Sequence, residues 1–227
     1  MTQKHAVLVV GTGRSGTSAM TGVLQILGTC LGDRLTEGDS HNTRGYFENA
    51  DLVDLNKALL SAAGILWYVT PIANVQPLLP TPEICQALRN CLQTVFHGSS
   101  PLAIKDPRLC ALLDPYVTAL ASMEYEVHCL HMSRHHVEVA QSMEAATGVE
   151  AAAFLPMVQH YAELLETALQ RVAVDYIHCT FSDLLTNPQS AIERIVKHLP
   201  FLSCSNERLC KSLSFIDKSL RHHAVEG

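Results

Sequence analysis

The chain contains four short apolar runs of the kind that form fully buried parallel strands. Longer segments with helical spacing of apolar residues follow them; in one of these segments leucines occupy positions 52, 55, 59 and 60. The predicted strands are Ala6–Val10, Leu102–Ile104, Val127–Met132 and Val174–Ile177. The predicted helices are Ser18–Leu27, Asp51–Ala63, Ile84–Phe96, Leu109–Met123, Val137–Ala145, Ala152–Leu169 and Ile192–Leu199.

The alternation of strands and helices predicts right-handed βαβ units. We therefore expect an α/β fold of three layers, with a mainly parallel central sheet flanked by helices. The length of 227 residues fits one domain, spanning 1–227. Two stretches, Thr36–Arg44 and the proline-containing Pro71–Pro82, are predicted loops. Because ligands bind beyond the carboxyl ends of parallel strands, functional residues are expected directly after the four runs.

Composition and charge narrow the class of protein. Hydrophobic residues make up 48% of the chain and charged residues 17%, which favours a sizeable core and disfavours global disorder. A net charge of −6 argues against a nucleic-acid partner, although it permits a local basic pocket. The apolar run Ala6–Val10 is too short to span a bilayer and is not followed by a signal-peptide cleavage site. We expect no membrane span and a cytoplasmic location.

Cysteine and histidine spacing does not indicate a metal or disulfide framework. The eight cysteines include no C-x-x-C pair, and the twelve histidines include no HExxH motif. Most cysteines lie in apolar runs, which is typical of buried free thiols in a reducing compartment. No metal site is predicted.

A glycine-rich turn, Gly11–Ser18, joins the first predicted strand to the first predicted helix. The helix N-terminus supplies backbone N–H groups and about half a positive charge, which together favour an anion. Arg14 adds a cation inside the turn, and Thr17 and Ser18 add hydroxyl donors. This combination predicts a phosphate site.

The turn departs from the GxxxxGK[ST] pattern of nucleotide hydrolases, since Thr17 stands where those proteins have lysine. The usual grip on the β- and γ-phosphates is therefore missing, which disfavours a kinase or ATPase. A small-molecule kinase remains the alternative enzyme, and Asp106 would be its acid for magnesium.

The segment Arg14-Ser15-Gly16-Thr17-Ser18 resembles the phosphate loop of the sulfotransferase family, Lys/Arg-Ser-Gly-Thr-Thr/Ser. The resemblance implies a P-loop NTPase-like fold and transfer of a sulfuryl group from 3′-phosphoadenosine 5′-phosphosulfate (PAPS), without a metal. The acceptor would be a hydroxyl or amine of a small molecule, carbohydrate or lipid. It also implies that Gly13 and the five residues after it hold the 5′-phosphosulfate, and that Arg14 stabilises the bridging oxygen as sulfuryl leaves.

A second family signature follows the third predicted strand. There Arg134 precedes Ser142 by eight residues, as in the arginine–serine pair that holds the 3′-phosphate in the family. After the fourth strand, Phe181 stands where the family has an aromatic residue near the adenine, and it is equally compatible with a core position.

Charged residues also end the second predicted strand, where Lys105 matches the lysine of the family's Lys-x-His. Pro107 occupies the histidine position, so that general base is absent. Asp106 and Arg108 either belong to the site or form a structural ion pair with the phosphate loop.

Some sulfotransferases take a glutamate base from the region after the phosphate-loop helix. Glu48 is the first candidate here, with His41 and Glu37 behind it. The segments expected to contact the acceptor are Thr36–Glu48 and Trp67–Pro82.

The chain has no glycine-rich Arg-Lys-Gly loop like that of the family. Its basic segment Lys218–His223 either helps to hold the 3′-phosphate or forms a tail. A third alternative is a non-catalytic protein that binds the nucleotide but has lost the base.

Overall fold

The computed structural model describes residues 3–39, 42, 44–65, 67 and 75–216. The strands are β1 (Lys4–Val10), β2 (Leu102–Lys105), β3 (Tyr125–Ser133) and β4 (Tyr176–Thr180). The helices are α1 (Thr17–Ile26), α2 (Ala50–Ala62), α3 (Pro82–Phe96), α4 (Leu109–Ser122), α5 (His136–Thr147), α6 (Ala151–Val172), α7 (Phe181–Thr186), α8 (Pro188–His198) and α9 (Asn206–Phe215).

The four strands form one parallel sheet in the order β2-β1-β3-β4. Ala6 on β1 lies opposite Leu102 on β2 and Val127 on β3. The chain leaves β1 toward β2 and later crosses to β3 on the other side, so the boundary between β1 and β3 is the topological switch point. Ligands bind in the crevice at such a point, and the residues that follow β1 and β3 therefore meet there.

Each face of the sheet is covered by its own hydrophobic cluster. Leu8 and Cys129 point to the side covered by α2 through α6. Val9 and Leu130 point to the side covered by α1 and α7 through α9. Alternate residues of a strand face opposite sides, so strands buried on both faces must be apolar throughout. The predicted three-layer α/β fold with a mainly parallel sheet is confirmed.

The predicted elements all occur, with ends shifted by a few residues, and two helices were missed. Helix α7 begins immediately after β4, where the Thr180 hydroxyl accepts a hydrogen bond from Asp183 N at 3.0 Å. Helix α9 is capped in the same way by Ser205. Pro82 was wrongly placed in a loop: it occupies the first position of α3, where a missing N–H costs nothing.

None of the described helices is both long and apolar enough to cross a membrane. All eight cysteines are free thiols, and four of them are buried. Burial raises the pKa of Cys110 and Cys129 to about 12, so both thiols are neutral at physiological pH and act as small apolar side chains.

Candidate functional site

A cavity of about 760 Å³ opens at the carboxyl edge of the sheet. We call it the basic cavity because, among the described residues, five cationic and two acidic side chains line it: Arg14, Lys57, Lys105, Arg108 and Arg134 against Glu37 and Glu48. Residues that follow β1, β2 and β3 all contribute to it. This excess of cations suits an anionic ligand.

The glycine-rich turn bends sharply into α1. Arg14 has a φ of 67° and Gly16 a φ of 92°, so two residues of the turn are left-handed. A Cβ atom at Gly16 would lie 2.3 Å from Cδ2 of Phe181, and only glycine fits there. A left-handed arginine is strained, and such strain concentrates at functional sites.

Most residues of the glycine-rich turn line the basic cavity, whereas Ser15 faces into the turn. Gly13, Arg14, Gly16, Thr17 and Ser18 line the basic cavity. Ser15 is buried, and its hydroxyl donates to the carbonyl of Thr12 at 2.7 Å, so this side chain closes the turn. The cap residue Gly16 offers no side-chain acceptor to the first turn of α1, which leaves those N–H groups for an anion.

The two signature arginines meet in the same cavity. Arg14 Nε donates to Ser142 Oγ at 2.9 Å, and Arg134 contacts the Arg14 carbonyl oxygen at 3.4 Å. The Arg134 guanidinium lies 4.9 Å from the centre of the Phe181 ring and donates to Glu138 at 2.8 Å. Residues 128 positions apart thus share one hydrogen bond, which makes the two predicted phosphate-binding groups a single cluster.

The candidate lysine and the first candidate base form a buried ion pair. Lys105 Nζ lies 2.5 Å from Glu48 Oε1, and the side chains are 5% and 11% exposed. Both line the basic cavity. Glu48 precedes α2 by one cap residue, Asn49, rather than opening the helix. Buried charges require such pairing, and here the pair borders a space that a substrate can enter.

Comparison with known proteins connects this arrangement to a fold family. No protein-family profile and no curated protein matches the sequence. The solved structures that match include three sulfotransferases. The sulfotransferase domain of the Synechococcus PCC 7002 olefin synthase is 15% identical, with a TM-score of 0.50 over 99% of this chain and 85% of that chain. The sulfotransferase STF1 from Mycobacterium tuberculosis H37Rv is 13% identical, with a TM-score of 0.54 over 94% of this chain and 71% of that chain. The sulfotransferase domain from the curacin biosynthetic pathway is 14% identical, with a TM-score of 0.50 over 92% of this chain and 77% of that chain.

The chain has the sulfotransferase fold. Identities of 13–15% establish the fold, and the activity has to be argued from the site itself. The predicted resemblance to sulfotransferases is confirmed at the level of the fold. The predicted site residues stay predictions as to their roles, although the structure places all of them at or beside one cavity except His41, which lies outside the described residues.

Phe181 is a core residue of the sulfotransferase fold in this chain. It is 5% exposed, belongs to the cluster under α1 and α7, and packs against Gly16. One part of the ring also borders the basic cavity. The ring therefore supports the turn and Arg134, and contact with adenine remains a prediction.

Tyr46 is another ionisable group close to Glu48. Its hydroxyl donates to Asp39 Oδ2 at 2.7 Å, and burial, together with Asp39, raises its pKa to about 12. A general base works best with a pKa near the operating pH. The protonated phenol is therefore unsuited to that role, and the candidate bases among the described residues are the carboxylates Glu48 and Glu37.

The end of β2 carries a buried polar network. Asp106 accepts from Arg108 at 2.9 Å through Oδ1 and from Asn56 at 2.9 Å through Oδ2. Tyr116 donates to Asn56 Oδ1 at 2.9 Å. The ion pair predicted between this strand end and the phosphate loop instead joins Asp106 to Arg108. The ion pair with Asp106 holds the Arg108 side chain at the wall of the basic cavity.

Replacing Tyr116 with phenylalanine is expected to lower the free energy of unfolding by about 1–3 kcal/mol, because the buried Asn56 carbonyl oxygen loses its donor. Urea denaturation monitored by circular dichroism measures the change in the free energy of unfolding. The matched control is Tyr176→Phe, for which we expect a change within about 0.5 kcal/mol because Tyr176 is 46% exposed. Equal losses in the two variants would contradict the network.

The basic cavity also has apolar lining residues, which the sequence pattern did not predict. Val53, Met143, Phe154 and Met157 line it, mostly from α5 and α6. Residues of the segment Thr36–Glu48 line the cavity, and their contact with an acceptor stays a prediction. No described residue of Trp67–Pro82 lines it, and residues 68–74 and 218–223 lie outside the described part of the chain. A helical period shows which residues share a face but not which cavity that face borders.

Proposed function

We propose that this protein is a sulfotransferase that moves the sulfuryl group of PAPS to a hydroxyl group of a small acceptor. The observation that carries the proposal is the convergence of Arg14, Arg134 and Ser142 with the Lys105–Glu48 pair around one cavity. In this proposal the cationic side chains bind the two phosphate groups of the donor, and the Glu48 carboxylate accepts the proton of the acceptor hydroxyl. Sulfuryl transfer from PAPS requires both functions.

The donor fits the cluster as follows. The first turn of α1 and the amides of the glycine-rich turn bind the 5′-phosphosulfate, since their residues line the cavity and the helix has no side-chain cap. Arg134 and Ser142 bind the 3′-phosphate. The side chain of Arg134 is only 6% exposed, so its charge is weakly screened and a phosphate there is held strongly.

The transfer breaks the bond between sulfur and the bridging oxygen of the donor and forms one between sulfur and the acceptor oxygen. The acceptor proton passes to Glu48, whose Oε2 is the carboxylate oxygen not engaged by Lys105. The leaving phosphate gains negative charge, and Arg14 and Lys105 stabilise it. The side chains named are sufficient for these steps, and the proposal needs no metal.

The acceptor is an alcohol with an apolar body. The lining of the basic cavity includes the apolar side chains of Val53, Met143, Phe154 and Met157, beside which a sugar would leave its hydroxyl groups without partners. Burying apolar area there contributes about 25 cal/mol per Å². These apolar lining residues favour a lipid-like or other apolar alcohol over a carbohydrate as the acceptor.

Asp106 bears on the kinase alternative. A kinase needs an acid at a strand end that can bind magnesium, and Asp106 was the candidate. It is 2% exposed, and both of its carboxylate oxygens accept hydrogen bonds from Arg108 and Asn56. Magnesium would have to displace those donors, which disfavours this alternative.

The proposal is tested by incubating the protein with PAPS labelled in its sulfuryl group and a series of primary alcohols of increasing chain length, in EDTA. We expect a labelled sulfate ester whose rate of formation rises with chain length. Sugars of similar size serve as matched acceptors and should react more slowly. Tight binding of 3′-phosphoadenosine 5′-phosphate (PAP) without transfer to any acceptor would favour the non-catalytic alternative.

A further inference from the structure

Three metal-ligand side chains meet at the amino edge of the sheet, the edge opposite the basic cavity. His5 lies on β1, and Glu126 and His128 lie on β3. His5 pairs with Glu126 in the parallel register, and His128 is two residues further along β3. Side chains two apart on a strand share a face, so all three project from the same side of the sheet.

One donor atom from each residue lies within 4.8 Å of the other two, which is near the spacing that a tetrahedral ion requires. His5 Nδ1 lies 3.3 Å from His128 Nε2 and 3.4 Å from Glu126 Oε2, and His128 Nε2 lies 3.9 Å from Glu126 Oε1. Zinc bonds to nitrogen and oxygen are about 2.0–2.2 Å long, which puts neighbouring ligands of a tetrahedral site about 3.3–3.6 Å apart. His5 and His128 approach different oxygens of Glu126, so the exposed carboxylate would have to rotate to bring one oxygen to this distance from both imidazoles.

The two imidazoles are held in place. Phe201 stacks on His5 with ring centres 4.1 Å apart and planes 8° apart, and it contacts His128 at 5.0 Å. The side chains of His5 and His128 are 20% and 11% exposed and that of Glu126 is 53% exposed, so the cluster opens to solvent on one side.

We propose that His5, Glu126 and His128 form a site for a divalent transition metal, with zinc as the preferred ion. Two imidazoles and one carboxylate are a common zinc ligand set, and the open side leaves the fourth position to water. The ion would fasten the start of β1 to β3, on the edge of the sheet away from the basic cavity.

The site escaped the sequence analysis because its ligands come from separate strands. His5 and His128 are 123 residues apart, and no contiguous motif records them. Among the described residues this is the only group of three such donor side chains that lies close enough to hold one ion. The inference is independent of sulfuryl transfer, since the cluster shares no residue with the basic cavity.

The test is a titration of the EDTA-treated, dialysed protein with Co²⁺, whose visible absorption distinguishes tetrahedral from octahedral coordination. We expect tetrahedral bands that saturate at one equivalent and that Zn²⁺ abolishes by displacement. Zn²⁺ should also raise the Tm. Octahedral spectra, or binding that does not saturate, would contradict the proposal.

Three variants locate the ion. His5→Ala and Glu126→Gln should each raise the Kd for Co²⁺ at least about tenfold, and the exposed Glu126 tolerates glutamine without loss of folding. His178→Ala is the matched control, an exposed histidine on β4 that contacts His131 and belongs to no such group of three among the described residues. Unchanged affinity in the first two variants, or thiolate-to-cobalt charge-transfer bands, would assign the ion elsewhere and overturn the proposal.

Discussion

Glu48→Gln is expected to lower kcat for sulfuryl transfer by about 10²–10⁴, the range that a positioned general base contributes. Glutamine keeps the size of the side chain and an oxygen for Lys105 Nζ, which lies 2.5 Å from Glu48 Oε1 in the native protein. It removes the proton acceptor and, with it, the negative charge that pairs with Lys105. Affinity for PAP should remain near the native value. Steady-state kinetics with labelled PAPS and calorimetric titration with PAP measure the two effects separately.

Glu37→Gln is the matched control for this variant. Glu37 is the other acidic side chain that lines the cavity among the described residues, and it is exposed. It was also a rival candidate for the base, and its replacement should leave kcat within about twofold, as expected for a carboxylate that takes no part in proton transfer. A large loss in Glu37→Gln with normal activity in Glu48→Gln would reverse the assignment. Melting temperatures show whether the buried Lys105 charge unfolds Glu48→Gln instead.

Arg14→Met is expected to lower kcat by about 10²–10³, the loss that follows removal of one preorganised donor from developing charge. Methionine approximates the length of the arginine stem, and its apolar side chain cannot donate to Ser142 Oγ or to a phosphate. Because Arg14 already has a φ of 67°, the substitution adds no new backbone strain.

Lys57→Met is the matched control for Arg14→Met. It distinguishes the effect of a cation's position in the cavity from the effect of the cavity's total positive charge. Lys57 also lines the basic cavity, but its side chain is 58% exposed and pairs with Asp54 on the surface of α2. Its replacement removes the same charge and should change kcat by less than about threefold, because an exposed charge is screened by solvent. Equal losses in Arg14→Met and Lys57→Met would mean that the cavity acts only through its overall potential.

The sequence was sufficient to predict the layers of the fold and the edge that carries the site. Ala6–Val10 is continuously apolar, the next residue is glycine, and a helical period follows, so strand, turn and helix are all local features. Arg14 and Arg134 could be placed together because each follows a strand of one parallel sheet.

Contacts between distant segments could not be predicted in this way. Glu48 and Lys105 are 57 residues apart, and their ion pair depends on how α2 packs against the end of β2. The sequence also predicted that Ser15 binds the 5′-phosphosulfate together with its neighbours, but in the structure the Ser15 hydroxyl donates to the Thr12 carbonyl within the turn. The short helix α7 was missed because it begins without a loop, directly after β4.

The central claim is that the basic cavity holds an adenosine bisphosphate, and thermal denaturation with added nucleotides tests it most directly. We predict that PAP raises the Tm in EDTA, whereas ATP with Mg²⁺ raises it much less, because a 3′-phosphate on Arg134 contributes about 1.5–3 kcal/mol that ATP lacks. A larger rise with ATP and Mg²⁺ than with PAP would contradict the account.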